Sequence, residues 1–316
     1  MTPHRVFIVG HEGTTGLRIH ERLSDRKDIE LLATADEDRK NVEAIKVVAK
    51  KADIVFLCLP DAVSKDIMAV IGDLPCKVID TSTAFRTDSD WAYGFPELGI
   101  NYKTAIATKK HIANPGCHAS GMIACIAPLV KAGLVPVDYP FTITSLTGYS
   151  GGGKKMIGQY ESSPKDYFLY APRQYGLGQE HKHLPEVQHV CGLSEAPIFM
   201  PIVDDYYSGM EVTVGIHSRL CHKPVCIDKV QQTLEYFYKD STIVTVAPFT
   251  ENSNSGILNA NQLSNTDSMK IYVTGNDERI MVHAIFDNLG KGASGAAVQC
   301  MNIALGLPED TGLVLG

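Results

Sequence analysis

An apolar run that ends on glycine and passes directly into a helical pattern leaves few folds open to a chain. Residues 5–10, RVFIVG, are such a run, and HEGTTGLRIHERL follows with Leu17, Ile19 and Leu23 at helical spacing. Between them Gly10, Gly13 and Gly16 stand as GxxGxxG. Missing side chains at such a turn let backbone amides approach a pyrophosphate, and the helix N-terminus stabilises its charge. The strand before and the helix after are the context that makes a glycine triplet point to dinucleotide binding. The alternation continues with strands at IELLATAD (29–36), ADIVFLCLP (52–60) and KVIDTS (77–82), and with helical stretches near 41–51 and 62–73. A doubly wound parallel sheet is the fold that such alternation predicts.

The pattern changes after about residue 138. FTITSL, EVTVGIHSRL, TIVTVAPF, KIYVTGND and RIMVHAIF alternate with period two, as half-solvated antiparallel strands do. The final stretch from Gly292, GASGAAVQCMNIALGL, is Ala-rich and helical, and its small residues suit close packing against the first domain. The expected architecture is therefore α/β: a Rossmann-like domain from residues 1–117 and 290–316, and an α+β domain with a mainly antiparallel sheet from 118–289. Residues 250–267, rich in Asn and Ser, read as a long surface loop. A sheet exposed on one face suggests a subunit interface, so a homodimer or homotetramer is expected.

Charge narrows the partners. A net charge of −7, with Lys and Arg scattered, gives no footprint for nucleic acid. No apolar run approaches the roughly 20 residues that span a bilayer, and the first strand starts almost at Met1, so a cytoplasmic protein acting on small molecules is expected. None of the eight cysteines falls in a CxxC pair, and a chain of 316 residues needs no disulfide staples. Cys58, Cys125, Cys191, Cys226 and Cys300 lie in or beside apolar segments and read as packing residues.

Cys117 differs from these. Asn114, Pro115 and Gly116 form a tight-turn sequence, and the residues after Cys117 are helical, with Met122, Ile123, Ile126 and Leu129 apolar. A thiol at a helix N-terminus is favoured as thiolate, and the unpaired amides there can stabilise an oxyanion. A thiolate together with a dinucleotide suits interconversion of an aldehyde and an acyl derivative through a covalent thioester. The cycle needs an acid/base, and GQEHKHLPEVQHV (178–190) supplies His181 and His183 just ahead of a helix begun by Pro185. His183, nearer the helix start, is the expected acid/base. HxH without a third ligand is not read as a metal site, so no metal is expected.

With the turn, the cysteine and the histidine pair in place, the chain closely resembles the N-acetyl-gamma-glutamyl-phosphate reductase family, in its shorter form within the semialdehyde dehydrogenase superfamily. The similar stretches run nearly end to end: GHEGTTGLRIHERL (10–23), FLCLPD (56–61), VIDTSTAFR (78–86), YGFPEL (93–98), NPGC (114–117), GYSGGGK (148–154), HKHLPE (181–186) and DNLGKGASGAAVQ (287–299). The resemblance implies reduction of an acyl phosphate to a semialdehyde in arginine biosynthesis, with release of inorganic phosphate. It puts the nucleophile on Cys117, and substrate binding and acid/base work on His181 and His183. It also implies NADP as cofactor, although Asp36 suits a free ribose hydroxyl while Arg39 and Lys40 suit a 2′-phosphate. Cofactor contacts fall on Gly10, Gly13, Thr14, Thr15, Gly16, Arg39, Ser82, Gly151, Asn288 and Gly292, and Thr83 lies near cofactor and substrate. Substrate contacts fall on Arg86, Asn114, Ser150 and His181, Arg86 being a candidate anion clamp. HKH stands here where HRH is common in the family, which keeps both histidines and the charge.

Two other readings compete. A related acyl-phosphate reductase, acting on aspartate semialdehyde or a carrier-linked aminoadipyl or glutamyl phosphate, shares the chemistry. A dinucleotide-binding redox sensor would use Cys117 as an oxidisable switch. Turnover with semialdehyde and phosphate separates an enzyme from a sensor.

Overall fold

The computed structural model describes residues 2–249 and 256–316; of the loop expected at 250–267, residues 250–255 lie outside the described residues, and 256–267 form neither helix nor strand. The chain divides into two compact units, residues 1–116 with 293–313, and residues 117–292 with 314–316. Cys117, expected at the end of the first domain, opens the second unit. The last three residues also run with the second unit, where Val314 N–H donates to Asp267 Oδ2 at 2.9 Å and Gly316 N–H to Ser268 Oγ at 3.0 Å.

The first unit is built on β1 (His4–Val9), α1 (Thr14–Ser24), β2 (Ile29–Leu32), α2 (Val42–Ala49), β3 (Ile54–Leu57), α3 (Asp61–Ile71), β4 (Lys77–Asp80), β5 (Ala92–Tyr93), α4 (Ile100–Thr108) and β6 (His111–Ala113). Its six strands are all parallel, in the order β2-β1-β3-β4-β6-β5. Alternation along a strand sends Val6 and Ile8 to one face and Phe7 and Val9 to the other. The first face buries Ile19 and Leu23 of α1 and Ile106 of α4. The second buries Ile45 and Ala49 of α2 and Ile67 and Ile71 of α3. Helices on both faces explain why the strands read as unbroken apolar runs. Sequence periodicity had not marked β5, α4 or β6, since two- and three-residue strands carry too little pattern.

The second unit contains α5 (Cys117–Lys131), β7 (Thr142–Gly148), α6 (Gly153–Tyr160), β8 (Arg173–Gln174), α7 (Leu184–Cys191), β9 (Ile198–Asp204), β10 (Met210–His217), α8 (Ile227–Tyr238), β11 (Val244–Val246), β12 (Met269–Gly275) and β13 (Arg279–Phe286). The sheet order is β11-β12-β13-β10-β7-β9-β8. Four of its pairings are antiparallel, and β7–β9 and β11–β12 are parallel, so the sheet is mixed with an antiparallel majority. Strand β9 carries Pro201, which obscured it in the sequence. Helix α5 packs on this sheet with residues 118–126 all buried. Gly121 permits the approach, because a Cβ there would stand 2.5 Å from Val212 Cγ2 and 2.9 Å from Phe286 Cε1.

After β13 the chain passes through a π-helical turn, Gly290–Ser294, into α9 (Gly295–Ala304). Val298, Cys300 and Met301 of α9 lie in the same core cluster as Val6, Ile8 and Ile106 of the first unit.

Candidate active site

In the first unit the glycine turn forms a cradle. Gly10 has φ +84°, and a Cβ there would lie 2.4 Å from the carbonyl oxygen of Cys58. A Cβ on Gly16 would lie 2.4 Å from the Gly10 oxygen. Gly13 caps α1 with no side-chain hydrogen bond, and the first turn, begun by Thr14 and Thr15, holds no acidic residue. Its amides are thus open to an anion. Beside them lies a cleft of about 580 Å3, lined by Gly10, Glu12, Gly13, Asp36, Arg39 and Lys40 among others. Backbone that admits no side chain, beside a bare helix N-terminus, fits a dinucleotide pyrophosphate. In the same cleft Arg39 ion-pairs with Glu12 and donates from Nε to the Asp36 carbonyl at 2.9 Å. Glu12 had not been singled out in the sequence.

The same unit gathers Ser82, Arg86 and Asn114 at the ends of β4 and β6. Ser82 Oγ donates to the buried Asp80 Oδ2 at 2.5 Å and accepts from Ala84 N–H at 3.1 Å. Burial raises the Asp80 pKa, opposed by the bonds from Ser82 and Ser64 and the charge of Arg86. Thr83 N–H donates to Asp61 Oδ1 at 2.9 Å. Arg86 is buried; its Nε donates to the Asn114 carbonyl at 2.8 Å and Nη2 to the Thr81 carbonyl at 3.0 Å. The first bond holds the Asn114 peptide at the start of the NPGC turn, and the second holds the residue that follows β4. Asn114 Nδ2 in turn donates to the Ala293 carbonyl at 3.1 Å.

In the second unit Cys117 begins α5, with the following turn free of acidic residues. Gly292 lies against it, since a Cβ there would be 3.1 Å from Cys117 Cβ. Next in the chain, His118 is buried, with Nδ1 2.8 Å from Ser145 Oγ and Nε2 2.6 Å from Tyr175 Oη. Its ring is 5.5 Å from that of His181 and 5.7 Å from that of His183. The rings of His181 and His183 are 4.7 Å apart, and Phe199 packs edge-on against His118 and His181, each at 5.2 Å. Three imidazoles and a phenol thus meet beside the head of α5. Nothing local in the sequence marks the role of His118, and Ser145, Tyr175 and Phe199 carry no local signal either, because only strand pairing and the α5 packing bring them there.

The histidines are not equivalent. Burial, and then the charge of His181, push the His118 pKa down to about 3, so this ring is neutral. Burial, and then Lys182, lower that of His181 as well. His181 Nδ1 accepts the backbone N–H of His183 at 3.2 Å, so its neutral ring carries the proton on Nε2. His183 is buried at the N-cap position of α7, where Pro185 occupies the first turn.

A stability consequence follows for His118. An imidazole in the unfolded chain titrates near 6.5, while the folded ring resists protonation down to about 3. The folded state therefore binds fewer protons in that window. Its stability is fullest above pH 6.5 and declines as pH falls toward 3. Urea unfolding of the wild type at pH 7 and 4.5 should differ by about 2–3 kcal/mol more than for His118→Asn.

The remaining sequence candidates of this unit contact one another. Asn288 Nδ2 donates to Ser150 Oγ at 3.0 Å, and its Oδ1 accepts from Gly209 N–H at 2.9 Å. Gly151 adjoins them, a Cβ there falling 3.3 Å from Asn288 Nδ2. Among the described residues no cluster of three or more His, Cys, Asp or Glu is arranged to hold a metal, and no helix is long and apolar enough to cross a membrane.

A dinucleotide cradle in one unit and a helix-head cysteine backed by imidazoles in the other are the marks of the semialdehyde dehydrogenase class. Residues 5–107 match the family described as semialdehyde dehydrogenase, NAD binding domain, and residues 117–288 that described as semialdehyde dehydrogenase, dimerisation domain. The fold agrees: Vibrio cholerae aspartate semialdehyde dehydrogenase II superposes with a TM-score of 0.72 at 18% identity, covering 96% of this chain and 99% of that one. The Candida albicans aspartate semialdehyde dehydrogenase, solved with NADP, gives 0.67 at 15%, covering 96% and 98%. Sequence relatives are nearer. N-acetyl-gamma-glutamyl-phosphate reductase 2 of a Nostoc species is 38% identical over 99% of this chain and 100% of its own length. The Brucella anthropi N-acetyl-gamma-glutamyl-phosphate reductase is 42% identical over 96% and 98%, and the Burkholderia cenocepacia enzyme 40% over 95% and 97%. The chain belongs to the N-acetyl-gamma-glutamyl-phosphate reductase family. It is a dinucleotide-dependent oxidoreductase.

Proposed function

We propose that this enzyme reduces N-acetyl-gamma-glutamyl phosphate to N-acetylglutamate semialdehyde with NADPH, as the names of its relatives and the site chemistry together suggest. The observation that carries the reading is Cys117 at the head of α5 with His118, His181 and His183 gathered beside it. Loss of the thiol proton to His183 leaves a thiolate stabilised by the helix amides. The sulfur attacks the acyl carbon, a C–S bond forms, and the bond to the phosphate oxygen breaks to release inorganic phosphate. A dinucleotide held by the glycine cradle and the Arg39 cleft would supply the hydride that reduces the resulting thioester. His183 protonates the oxygen of the thiohemiacetal and takes that proton back as the C–S bond breaks, returning the thiolate and releasing the aldehyde. His181, fixed as an Nε2–H donor, holds the substrate. Arg86, whose Nε and Nη2 donate to the Asn114 and Thr81 carbonyls, supports the start of the NPGC turn.

Arg39 and Lys40 at the cleft favour a 2′-phosphate, with Glu12 as the residue Arg39 must release. Arg39→Ala should raise KM for NADPH about 10–100-fold and leave KM for NADH within threefold, consistent with loss of one charge-assisted phosphate contact. Equal changes for both would assign Arg39 to structure. The match to a dimerisation domain supports a homodimer or homotetramer, and eight free cysteines suit a reducing, cytoplasmic setting. The activity itself is tested in reverse, by NADP reduction with phosphate and the semialdehydes of N-acetylglutamate, aspartate and aminoadipate. Preference for either of the last two, or binding without turnover, would overturn the reading.

A further inference from the structure

We propose that Tyr175 is a further catalytic residue, whose phenol O–H donates a hydrogen bond to the oxygen of the acyl group held on Cys117. This rests on the reading of Cys117 as nucleophile.

Ser145 is completely buried in β7, and among the described residues its hydroxyl has one hydrogen-bond partner, His118 Nδ1 at 2.8 Å. A buried O–H turned away from its partner costs about 1–3 kcal/mol, so the serine proton lies on that line and Nδ1 accepts it. His118 is neutral, which leaves one ring proton, and it must sit on Nε2. Nε2–H then donates to Tyr175 Oη, 2.6 Å away. An oxygen that accepts on that side keeps its own proton for another partner. The chain Ser145 → His118 → Tyr175 is therefore directional, and each link polarises the next.

The surroundings say where that proton is aimed. His118 is covalently next to Cys117, and Tyr175 feels the charge of Cys117. Burial first and that charge second raise the phenol pKa, so the group remains a protonated donor. The Tyr175 ring lies 6.1 Å from that of His181, whose own Nε2–H is the other neutral donor of the cluster. Neither group would give up its proton. When sulfur attacks, the C–S bond forms, the carbonyl π pair moves onto oxygen, and the phenol O–H holds that oxyanion. The pair then returns, and the C–O bond to phosphate breaks with its electrons leaving on phosphate. The same contact serves the alkoxide formed on thioester reduction.

The test separates this contact from an effect on the thiol. In rapid-quench single turnovers with N-acetyl-gamma-glutamyl phosphate and no dinucleotide, the wild type should release one equivalent of phosphate per site. Tyr175→Phe should release it about 10²-fold more slowly, while iodoacetamide alkylates Cys117 in the free protein at a rate within twofold of wild type. Ser145→Ala, which frees the His118 tautomer and leaves the phenol in place, should slow the burst by about three- to tenfold. An unchanged burst in both variants overturns the proposal. So does an alkylation rate that falls in step with the burst, since Tyr175 would then act on the sulfur. Absence of any burst in the wild type overturns the parent reading, and this one with it.

Discussion

Cys117→Ser should lose turnover by at least about 10⁴-fold while keeping its affinity for the dinucleotide. The size of the effect comes from ionisation. A thiol near pKa 8.5 needs only a modest electrostatic push to be a thiolate at neutral pH, and the head of α5 supplies one. A hydroxyl lies so far above that range that the same field leaves it protonated, and its oxygen is the weaker nucleophile toward an acyl phosphate. The substitution is nearly isosteric at a half-exposed helix head, so folding should be retained. Dinucleotide affinity should survive because the glycine cradle and the Arg39 cleft are built wholly from the first unit. Fluorescence titration with NADPH beside steady-state turnover makes the measurement. A serine variant that kept a tenth of wild-type turnover would remove covalent catalysis from the mechanism.

The second large effect is expected at the histidine pair. His183→Asn should lower kcat by about 10²–10⁴-fold, because a proton-transfer residue acts chiefly in the transition state. His181→Asn should mainly raise KM, since a donor that holds the substrate binds ground and transition states alike. The backbone bond into His181 Nδ1 is what separates the two: a ring already accepting there carries its proton on Nε2 and is poorly set to take another. The reverse pattern, with kcat lost in His181→Asn and KM raised in His183→Asn, would exchange the roles.

How far the sequence could be read depended on whether the relevant contact was local. The glycine cradle was legible because strand, turn and helix are contiguous and glycine is required where a Cβ would strike the Cys58 or Gly10 carbonyl. Cys117 was legible because turn and helix flank it. The chain as far as β4 showed its parallel sheet in unbroken apolar runs, whereas β5 and β8, two residues each, left no period to detect. The phenol and the serine that flank His118 were invisible for a different reason. Ser145 is an ordinary inward residue of a strand and Tyr175 follows a two-residue edge strand; only the seating of α5 on the sheet brings all three together. Family resemblance transferred roles to motif positions, and Tyr175 lies between the quoted motifs.

The way α5 is seated also bears on how this enzyme could change during evolution. From His118 to Ile126 every residue is buried, and Gly121 has no room for a single added carbon beside Val212 and Phe286. A helix held in this way cannot drift, so random substitution along it would be purged for instability before any new activity appeared. Variation is free elsewhere. The stretch from α6 to α7 carries Tyr167, Phe168, Tyr170 and Leu177 largely exposed and ends on the two histidines. New acyl specificities should therefore arise by rewriting the exposed positions of that stretch, with Tyr175 and the two histidines kept, around a nucleophile that the lineage is unable to move.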